Sequence, residues 1–232
     1  IKENIASQGD PVPLGTAAVQ LVPAPADAPP AARMREAHAI MFAKTTMPDY
    51  GMLSSGLSSF HHLSRNPWDL SKGPGGSSAG GGAATAAGYG PLHIGTDIGG
   101  SLRLPASWCG IYSLKPSLGR IPIDPPYTGR AAGPMTRTVA DSALMMQVLS
   151  APDVRDTMSL PAQDIAWGSV ATTTPAFIQG KRIGLLLDAG CGLPLQPEVK
   201  AAIERAAQLL EAAGAQIVPM QPFMTQALLD GM

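Results

Sequence analysis

The sequence predicts an α/β fold. Of the 232 residues, 45% are hydrophobic and only 14% are charged, which favours a well-buried globular core over disorder. Towards the C-terminus, an apolar strand at Arg182–Leu187, a helix at Pro197–Ala213 ended by Gly214, and a strand at Gln216–Pro219 follow one another. Strand–helix–strand order with short connections is typical of a βαβ unit and of an α/β sheet.

The N-terminal third predicts little regular structure. Residues 1–26 are rich in proline and predict extended, turn-containing backbone. Pro29-Pro30 predicts the start of a helix through Ala31–Ala39, because proline is tolerated in the first helical turn. The apolar run Ile40–Ala43 then predicts a short buried strand.

The middle of the chain predicts alternating helices and strands after an irregular segment, residues 47–74, which contains a turn at Asn66–Asp69. Alanine density predicts the first of these helices, and apolar spacing predicts the last. In chain order, we expect a helix at Ser77–Gly88, a strand at Leu92–Thr96, a helix at Ser101–Trp108, a strand at Ile111–Leu114, a loop at Pro122–Gly133, a helix at Thr138–Leu149 begun near Thr136 or Thr138, and a connecting segment at 151–180.

Composition excludes several classes of function. The net charge of −1 provides no basic footprint, so we expect no direct contact with nucleic acid. No apolar run reaches the roughly 18 residues that span a bilayer, so we expect no membrane insertion. Cys109 and Cys191 fit no metal spacing and are predicted to be buried thiols in a reducing, cytoplasmic compartment. The histidines lack a metal-binding context, and we expect neither a metal nor a cofactor.

Two glycine turns that each contain serine are the candidates for a catalytic role. They are Gly75–Ser78 and Gly99–Ser101, and the predicted helix and strand lie between them. Such runs are often flexible linkers, but Thr96-Asp97 and Arg103 place charges on both sides of the second turn. No Lys-Ser or Lys-Thr follows either turn, and no strand with an acidic residue follows the glycines, so phosphate and dinucleotide patterns fail. The turns therefore suggest a serine nucleophile with backbone N–H groups as an oxyanion site.

Several motifs in the same order as these turns resemble the amidase signature family of serine hydrolases. The resemblance is close over residues 1–150 and loose after them. The motifs are Lys2-Glu3-Asn4, Asn66-Pro67-Trp68-Asp69, Gly75-Gly76-Ser77-Ser78-Ala79-Gly80, Gly95–Ala106, Cys109-Gly110, Leu114–Arg120 and Gly133–Asp141.

The resemblance implies a mixed β-sheet core covered by helices in an α/β/α arrangement. Family members are commonly much longer, so we expect this chain to be an internal fragment that is incomplete at both ends. It is interpreted as one partial domain, in which residues 1–150 carry the motifs and 151–232 form a connecting segment and the βαβ-like part.

The resemblance also implies a catalytic triad. Ser101 would be the nucleophile, Ser77 would follow a cis peptide bond at Gly76-Ser77 and relay protons, and Lys2 would be the base. The residue types suit the reaction, because an amide carbonyl is a weak electrophile and needs an activated oxygen nucleophile. A buried lysine can provide the base, since desolvation favours its neutral amine.

Further site residues follow from the same resemblance. The implied oxyanion donors are the backbone N–H groups of Ile98, Gly99, Gly100 and Ser101. Residues expected to support the turns are Ser78, Thr96, Asp97 and Arg103, and a purely structural Asp97–Arg103 ion pair remains an equal alternative. Residues that either line the mouth of the site or simply pack are Met47, Tyr50, Met52 and Leu53.

The resulting hypothesis is an amidase that hydrolyses a C–N amide bond of a small-molecule substrate through an acyl-serine intermediate. One alternative is the glutaminase subunit of a tRNA-dependent amidotransferase, in which a partner subunit would contact tRNA. Another is a non-catalytic truncated fragment that binds a partner. A homodimer is compatible with the sequence under any of these hypotheses.

Overall fold

The computed structural model describes residues 1–172, 177–190, 192 and 194–231, and these fall into two compact units, 1–171 and 172–232. Cys191, predicted to be a buried thiol, lies outside the described residues. The interpretation of the chain as a single partial domain stays a prediction.

The first unit contains a three-stranded antiparallel sheet with helices against it. Short 3₁₀ turns lie at Asp49–Gly51 and Trp167–Thr172. The helices and strands, in chain order, are α1 (Pro29–Glu36), α2 (Ala79–Ala86), β1 (Leu92–Asp97), α3 (Arg103–Cys109), β2 (Tyr112–Ser113), β3 (Ala131–Thr136) and α4 (Val139–Leu149).

The sheet has the order β1-β3-β2, and its central strand holds both neighbours in register. Asp97 of β1 lies opposite Ala131 and Thr96 opposite Ala132, so β1 is paired with β3 up to its last residue. The apolar core includes residues of α1, β1, β3 and α4, among them Ile94 and Met146. This core supports the end of β1, from which the second glycine turn begins.

Strand β3 corrects the predicted loop at Pro122–Gly133, because the strand begins at Ala131. Its Gly133-Pro134 pair has the composition of a turn, yet every residue of the strand is buried. A Cβ on Gly133 would lie 2.1 Å from the carbonyl oxygen of Leu114, so only glycine allows this close approach of backbone. Tertiary packing therefore overrides the local turn signal.

The predicted buried strand at Ile40–Ala43 is wrong. The segment is irregular, with Ile40 88% and Phe42 70% exposed. A short apolar run alone does not show whether a segment is a strand. Within the described residues, this run pairs with no strand, and the first bridge after it is the isolated one between Thr45 and Lys2. Helix α1 also ends earlier than expected, because His38 adopts a positive φ of 58° and the Ala39 N–H donates back to the Met34 carbonyl.

Other predicted elements are confirmed with small shifts at their ends. The helix predicted at Ser101–Trp108 begins at Arg103, and the strand predicted at Ile111–Leu114 is only Tyr112–Ser113. Helix α4 begins after Thr138, whose side-chain oxygen accepts the N–H of Asp141 as an N-cap. The Asn66–Asp69 turn is closed by a bridge between those two residues.

The second unit contains the predicted βαβ arrangement. Strand β4 (Arg182–Leu185) pairs in parallel with β5 (Gln216–Pro219), and helix α5 (Pro197–Ala212) connects them. A short helix, α6 (Gln226–Asp230), follows. None of the helices in the described ranges is both long and apolar enough to cross a membrane.

Candidate active site

Backbone contacts hold Lys2 in the interior of the first unit. Its N–H donates to the Ile94 carbonyl of β1 at 2.8 Å, and it forms a parallel bridge with Thr45. The residue is only 1% exposed, an unusual environment for a lysine. The side chain therefore runs alongside β1 towards the glycine–serine turns.

The Lys2 amine contacts the first serine turn. Nζ donates to Ser77 Oγ at 2.8 Å and lies 3.5 Å from the Thr96 carbonyl oxygen. Burial, aided by the nearby positive charge of Arg130, lowers the pKa of Lys2 to about 7 against the opposing charges of Asp97 and Glu3. A substantial fraction of Lys2 is consequently neutral at physiological pH.

Hydrogen bonds through Ser78 join the two turns. The Gly76–Ser77 peptide bond is cis, as the resemblance implied. The Ser78 hydroxyl donates to the Thr96 carbonyl and accepts the Thr96 N–H, while the Ser78 N–H donates to the Ser101 carbonyl at 3.2 Å. Ser77 and Ser101 thus belong to turns that one hydrogen-bond network joins, although no hydrogen bond within the described part of the chain joins their side chains.

The second turn is open to solvent. Ile98 is 56% exposed, Gly99 is exposed and Ser101 is half-buried, so a substrate has access to this backbone. The N–H of Gly100 donates to Asp97 Oδ1 at 2.8 Å, which commits one of the four implied oxyanion donors to the carboxylate. Gly100 has a φ of 121°, a conformation that glycine adopts without strain.

Asp97 and Arg103 form the ion pair that the sequence left open as a structural alternative. Arg103 donates from Nε and Nη2 to the two carboxylate oxygens at 3.0 and 2.8 Å. Asp97 also accepts the N–H of Leu102 at 2.9 Å. Burial alone would raise the pKa of Asp97, but the hydrogen bonds from Arg103, Leu102 and Gly100 outweigh it and lower the pKa to about 2. The pair shapes the turn that carries Ser101.

Replacing Asp97 by asparagine should lower the free energy of unfolding by about 2–3 kcal/mol, because charge-assisted hydrogen bonds are lost from a buried position. The folded-state pKa is depressed, so this stabilisation is complete above the usual pKa of aspartate and is lost as the pH falls through about 2. Urea unfolding at neutral and acidic pH measures it. An Asp97→Asn protein as stable as the original at pH 7 would contradict this account.

The Lys2–Asn4 turn makes two further polar contacts. Asn4 Nδ2 donates to Thr96 Oγ1 at 3.0 Å, which explains why threonine lies near the end of the strand here. Glu3 is buried, and its Oε2 lies 2.6 Å from His61 Nε2. The sequence did not indicate the Glu3–His61 contact, since the two residues are 58 positions apart and no local pattern connects them.

The residues considered for a mouth divide into two groups. Met47 is buried and packs, whereas Tyr50, Met52 and Leu53 are exposed. Their segment lies against the first serine turn, because a Cβ on Gly51 would lie 3.2 Å from Ser77 Oγ. An exposed apolar rim beside Ser77 results.

Two other features do not include the turn serines. A mostly apolar cavity of about 770 Å³ is lined by residues such as Met41, Leu70 and Tyr89, but by neither Ser77 nor Ser101. Cys109 is buried with a free thiol, and burial raises its pKa to about 11, so it is a poor nucleophile. The polar geometry, rather than the larger cavity, therefore locates the site.

Comparison with known proteins identifies the relatives of this chain. The model of the amidase family matches residues 1–232. A glutamyl-tRNA(Gln) amidotransferase subunit of Chromohalobacter salexigens is 38% identical over 221 residues, which cover 94% of this chain and 45% of that protein. The chain thus spans about half the length of the curated relatives it matches.

Solved structures of related enzymes superpose on nearly the whole of this chain. The peptide amidase of Stenotrophomonas maltophilia superposes with a TM-score of 0.83 at 32% identity, over 95% of this chain and 46% of the enzyme. A 6-aminohexanoate cyclic dimer hydrolase superposes with a TM-score of 0.85 at 33% identity, over 95% of this chain and 47% of the enzyme. These matches confirm the predicted α/β fold class.

Proposed function

The chain belongs to the amidase signature family, and on that premise we propose that it carries the catalytic residues of an amidase that hydrolyses a C–N bond through an acyl-serine intermediate. One observation carries the proposal: a buried lysine amine lies 2.8 Å from the hydroxyl of Ser77, and its pKa is lowered to about 7. An enzyme that uses lysine as a general base needs this proton affinity at neutral pH.

The proposed acylation step begins at Ser101. Its Oγ attacks the amide carbonyl carbon, its proton passes to Ser77 Oγ, and the proton of Ser77 passes to neutral Lys2. The C–N bond then breaks, and the amine leaves with the proton returned through Ser77. Water then attacks the carbonyl carbon of the acyl-enzyme, gives its proton to Lys2 through Ser77, and releases the acid as Ser101 regains a proton. This step requires the Ser77 and Ser101 hydroxyls to meet, and the hydrogen bond from the Ser78 N–H to the Ser101 carbonyl, which joins their two turns, supports it.

The oxyanion formed during attack needs backbone donors. We assign the N–H groups of Ile98, Gly99 and Ser101, which have no hydrogen-bond acceptor among the described residues. The Gly100 N–H is left out of this revised set because it donates to Asp97. One such donor contributes about 2.7–4 kcal/mol to transition-state stabilisation in serine hydrolases.

A second candidate function is that of a glutaminase subunit in a tRNA-dependent amidotransferase. The relative that is 38% identical is named as a subunit of such an enzyme, and this favours the candidate. It would use the same acyl-serine chemistry on a side-chain amide, with the released ammonia passed to a partner subunit. Co-purification with a second subunit, together with ammonia transfer to charged tRNA, would favour it over a free-standing amidase.

Labelling with a fluorophosphonate tests the shared chemistry. The reagent should modify Ser101 of the complete protein, located by mass spectrometry of the digested peptides. A panel of aliphatic, aryl and peptide amides, with glutamine included, then distinguishes the substrate classes. Absence of labelling and of turnover across the panel would instead support a non-catalytic, partner-binding role.

The rate should depend on pH through Lys2. Protonated Lys2 cannot accept a proton, so kcat/KM should rise tenfold per pH unit below about 7 and level off above it. Initial rates between pH 5 and pH 9 on one neutral amide measure this limb. A rate independent of pH over that range would contradict Lys2 as the base.

A further inference from the structure

The mostly apolar cavity of about 770 Å³ separates two stretches of backbone in the first unit. One is the irregular segment 40–44, and the other is the beginning of β1, with Leu92 and Ile94 among the lining residues. Ile1 also lines the cavity. Residues 1–3 make backbone hydrogen bonds to both stretches, so they lie between them where the cavity ends.

Towards the first stretch, residues 1–3 form a parallel ladder. Lys2 bridges Thr45 in parallel, the Thr45 N–H donates to the Ile1 carbonyl at 2.8 Å, and the Thr45 carbonyl accepts the Glu3 N–H at 3.1 Å. One rung back, the Ile1 nitrogen donates to the Ala43 carbonyl at 2.9 Å. The evenly spaced rungs of a parallel pair would continue with the N–H of Ala43, which has no hydrogen-bond acceptor among the described residues. The ladder therefore stops at a donor that faces the cavity.

Towards the second stretch, β1 also directs backbone groups at the cavity. The Ile94 carbonyl accepts the Lys2 N–H at 2.8 Å. Ile94 lies opposite Pro134 of β3, and the Pro134 carbonyl accepts the Leu114 N–H on the far side of β3. The backbone groups of Ile94 consequently point away from β3, and those of Leu92 do so too, because the direction alternates along an antiparallel strand.

We propose that, in the complete protein, the segment directly before Ile1 fills this cavity as an apolar β-strand that runs parallel to β1 and to residues 41–45. This chain covers 45% of a matching relative, and the remaining length leaves polypeptide to supply the strand. The two ladders set the register. The residue before Ile1 places its carbonyl at the Ile94 N–H and its own N–H at the Leu92 carbonyl, and the carbonyl of the residue before that accepts the Ala43 N–H.

The lining of the cavity specifies the chemistry of this strand. Helix α2 contributes only small residues, namely Gly80, Ala83, Ala84 and Ala87, and the opposite side contains Met34 and Met41. Successive side chains of the strand would pack against these two apolar sides in turn. A parallel strand buried on both faces is typically a continuous apolar run, so we expect mainly valine, isoleucine and leucine.

A strand fits this cavity better than an apolar small molecule does. A small apolar molecule would cover the side chains but leave the backbone N–H groups of Ala43 and Ile94 without acceptors, and unpaired buried donors are costly. A strand supplies both acceptors. With it, the sheet would contain five strands, and Lys2 would lie in an interior strand rather than in a short bridge. The inference does not depend on the proposed function.

Hydrogen exchange in the complete protein tests whether the strand is present. We expect the amides of residues 41–43 to exchange about 100-fold or more slowly than in an unstructured peptide, because the Ala43 N–H then lies inside a sheet. Leu21 and Val22 are the matched control, since they form an irregular, exposed apolar segment that does not line the cavity, and they should exchange rapidly. Rapid exchange of both segments would overturn the proposal. Protection of residues 41–43 that disappears on dilution would identify a second copy of the chain as the occupant and would overturn it too.

A proline substitution tests the register. Proline at the position directly before Ile1 removes the N–H assigned to the Leu92 carbonyl, whereas alanine at the same position keeps it. We expect the proline variant to unfold at a lower urea concentration than the alanine variant and to exchange residues 41–43 about tenfold faster or more. Equal midpoints and equal exchange rates, as a small-molecule occupant predicts, would overturn the proposal. If the proline variant does not fold, the exchange measurement on the original protein decides. Neither measurement requires Ser101 to be reactive, so failure of the proposed function is a separate result.

Discussion

Ser101→Ala should reduce kcat/KM by about 10⁴-fold or more, because no other group can then form the acyl-enzyme. The residual activity would come from the oxyanion donors and from substrate binding, neither of which needs the hydroxyl. Folding should be little affected, since the Ser101 side chain is half-buried and its backbone carbonyl keeps the contact with the Ser78 N–H. Steady-state kinetics on the best amide of the panel, with circular dichroism as a check of folding, measure the effect.

Ser113→Ala is the matched control for this experiment. Ser113 is also half-buried, and its hydroxyl donates to the Leu102 carbonyl in the same part of the sheet. We expect it to retain most of the activity. A Ser101→Ala protein with kcat/KM within tenfold of the original would exclude Ser101 as the nucleophile.

Lys2→Met should lower kcat/KM by about 10²–10⁴-fold, the usual contribution of a general base. Methionine fills much of the volume of this buried side chain, so the loss reports on the amine rather than on a cavity. The rise of activity with pH near 7 should disappear with Lys2, because its titration produces that rise. Measurement of the pH profile therefore separates loss of the base from general damage.

Lys44→Met provides the comparison for Lys2. Lys44 is partly buried, whereas Lys2 is fully buried, and the Lys44 amine contacts the Ile5 carbonyl and Ser7 Oγ rather than the serine turns. Its replacement should leave the pH profile unchanged. Should Lys2→Met keep the original pH dependence, the base would have to be another group.

The candidate site was predictable because its chemistry is concentrated in short motifs. Ser77, Ser78 and the Gly99–Ser101 turn stand in runs that lack the Lys-Ser or Lys-Thr of a phosphate loop and whose order resembles one family. In the structure, Lys2 Nζ lies 2.8 Å from Ser77 Oγ. Local sequence pattern alone could not connect Lys2 to the turn that contains Ser77. The sequence left open whether Asp97 and Arg103 support the catalytic turn or form a purely structural ion pair. The structure shows Arg103 bound to both carboxylate oxygens of Asp97, and the same carboxylate accepts the Gly100 N–H.

The errors of prediction share one physical cause. Gly133-Pro134 has a loop composition but lies in the central strand, because β1 and β2 supply partners on both sides. Ile40–Ala43 has a strand composition but is irregular and largely exposed, because a strand needs a partner edge that local sequence does not reveal.

The sequence by itself predicted the α/β class and the βαβ arrangement near the C-terminus, and its motifs, by their resemblance to one family, suggested which residues would supply the hydroxyl, the amine and the backbone donors. Those properties follow from residue type and from short-range order, which act over a few positions. Only the tertiary structure decided which of these groups meet, how deeply Lys2 is buried, and which N–H groups are free for an oxyanion. Distances, burial and charge environment depend on residues far apart in the chain, and a pKa near 7 for Lys2 is their combined result.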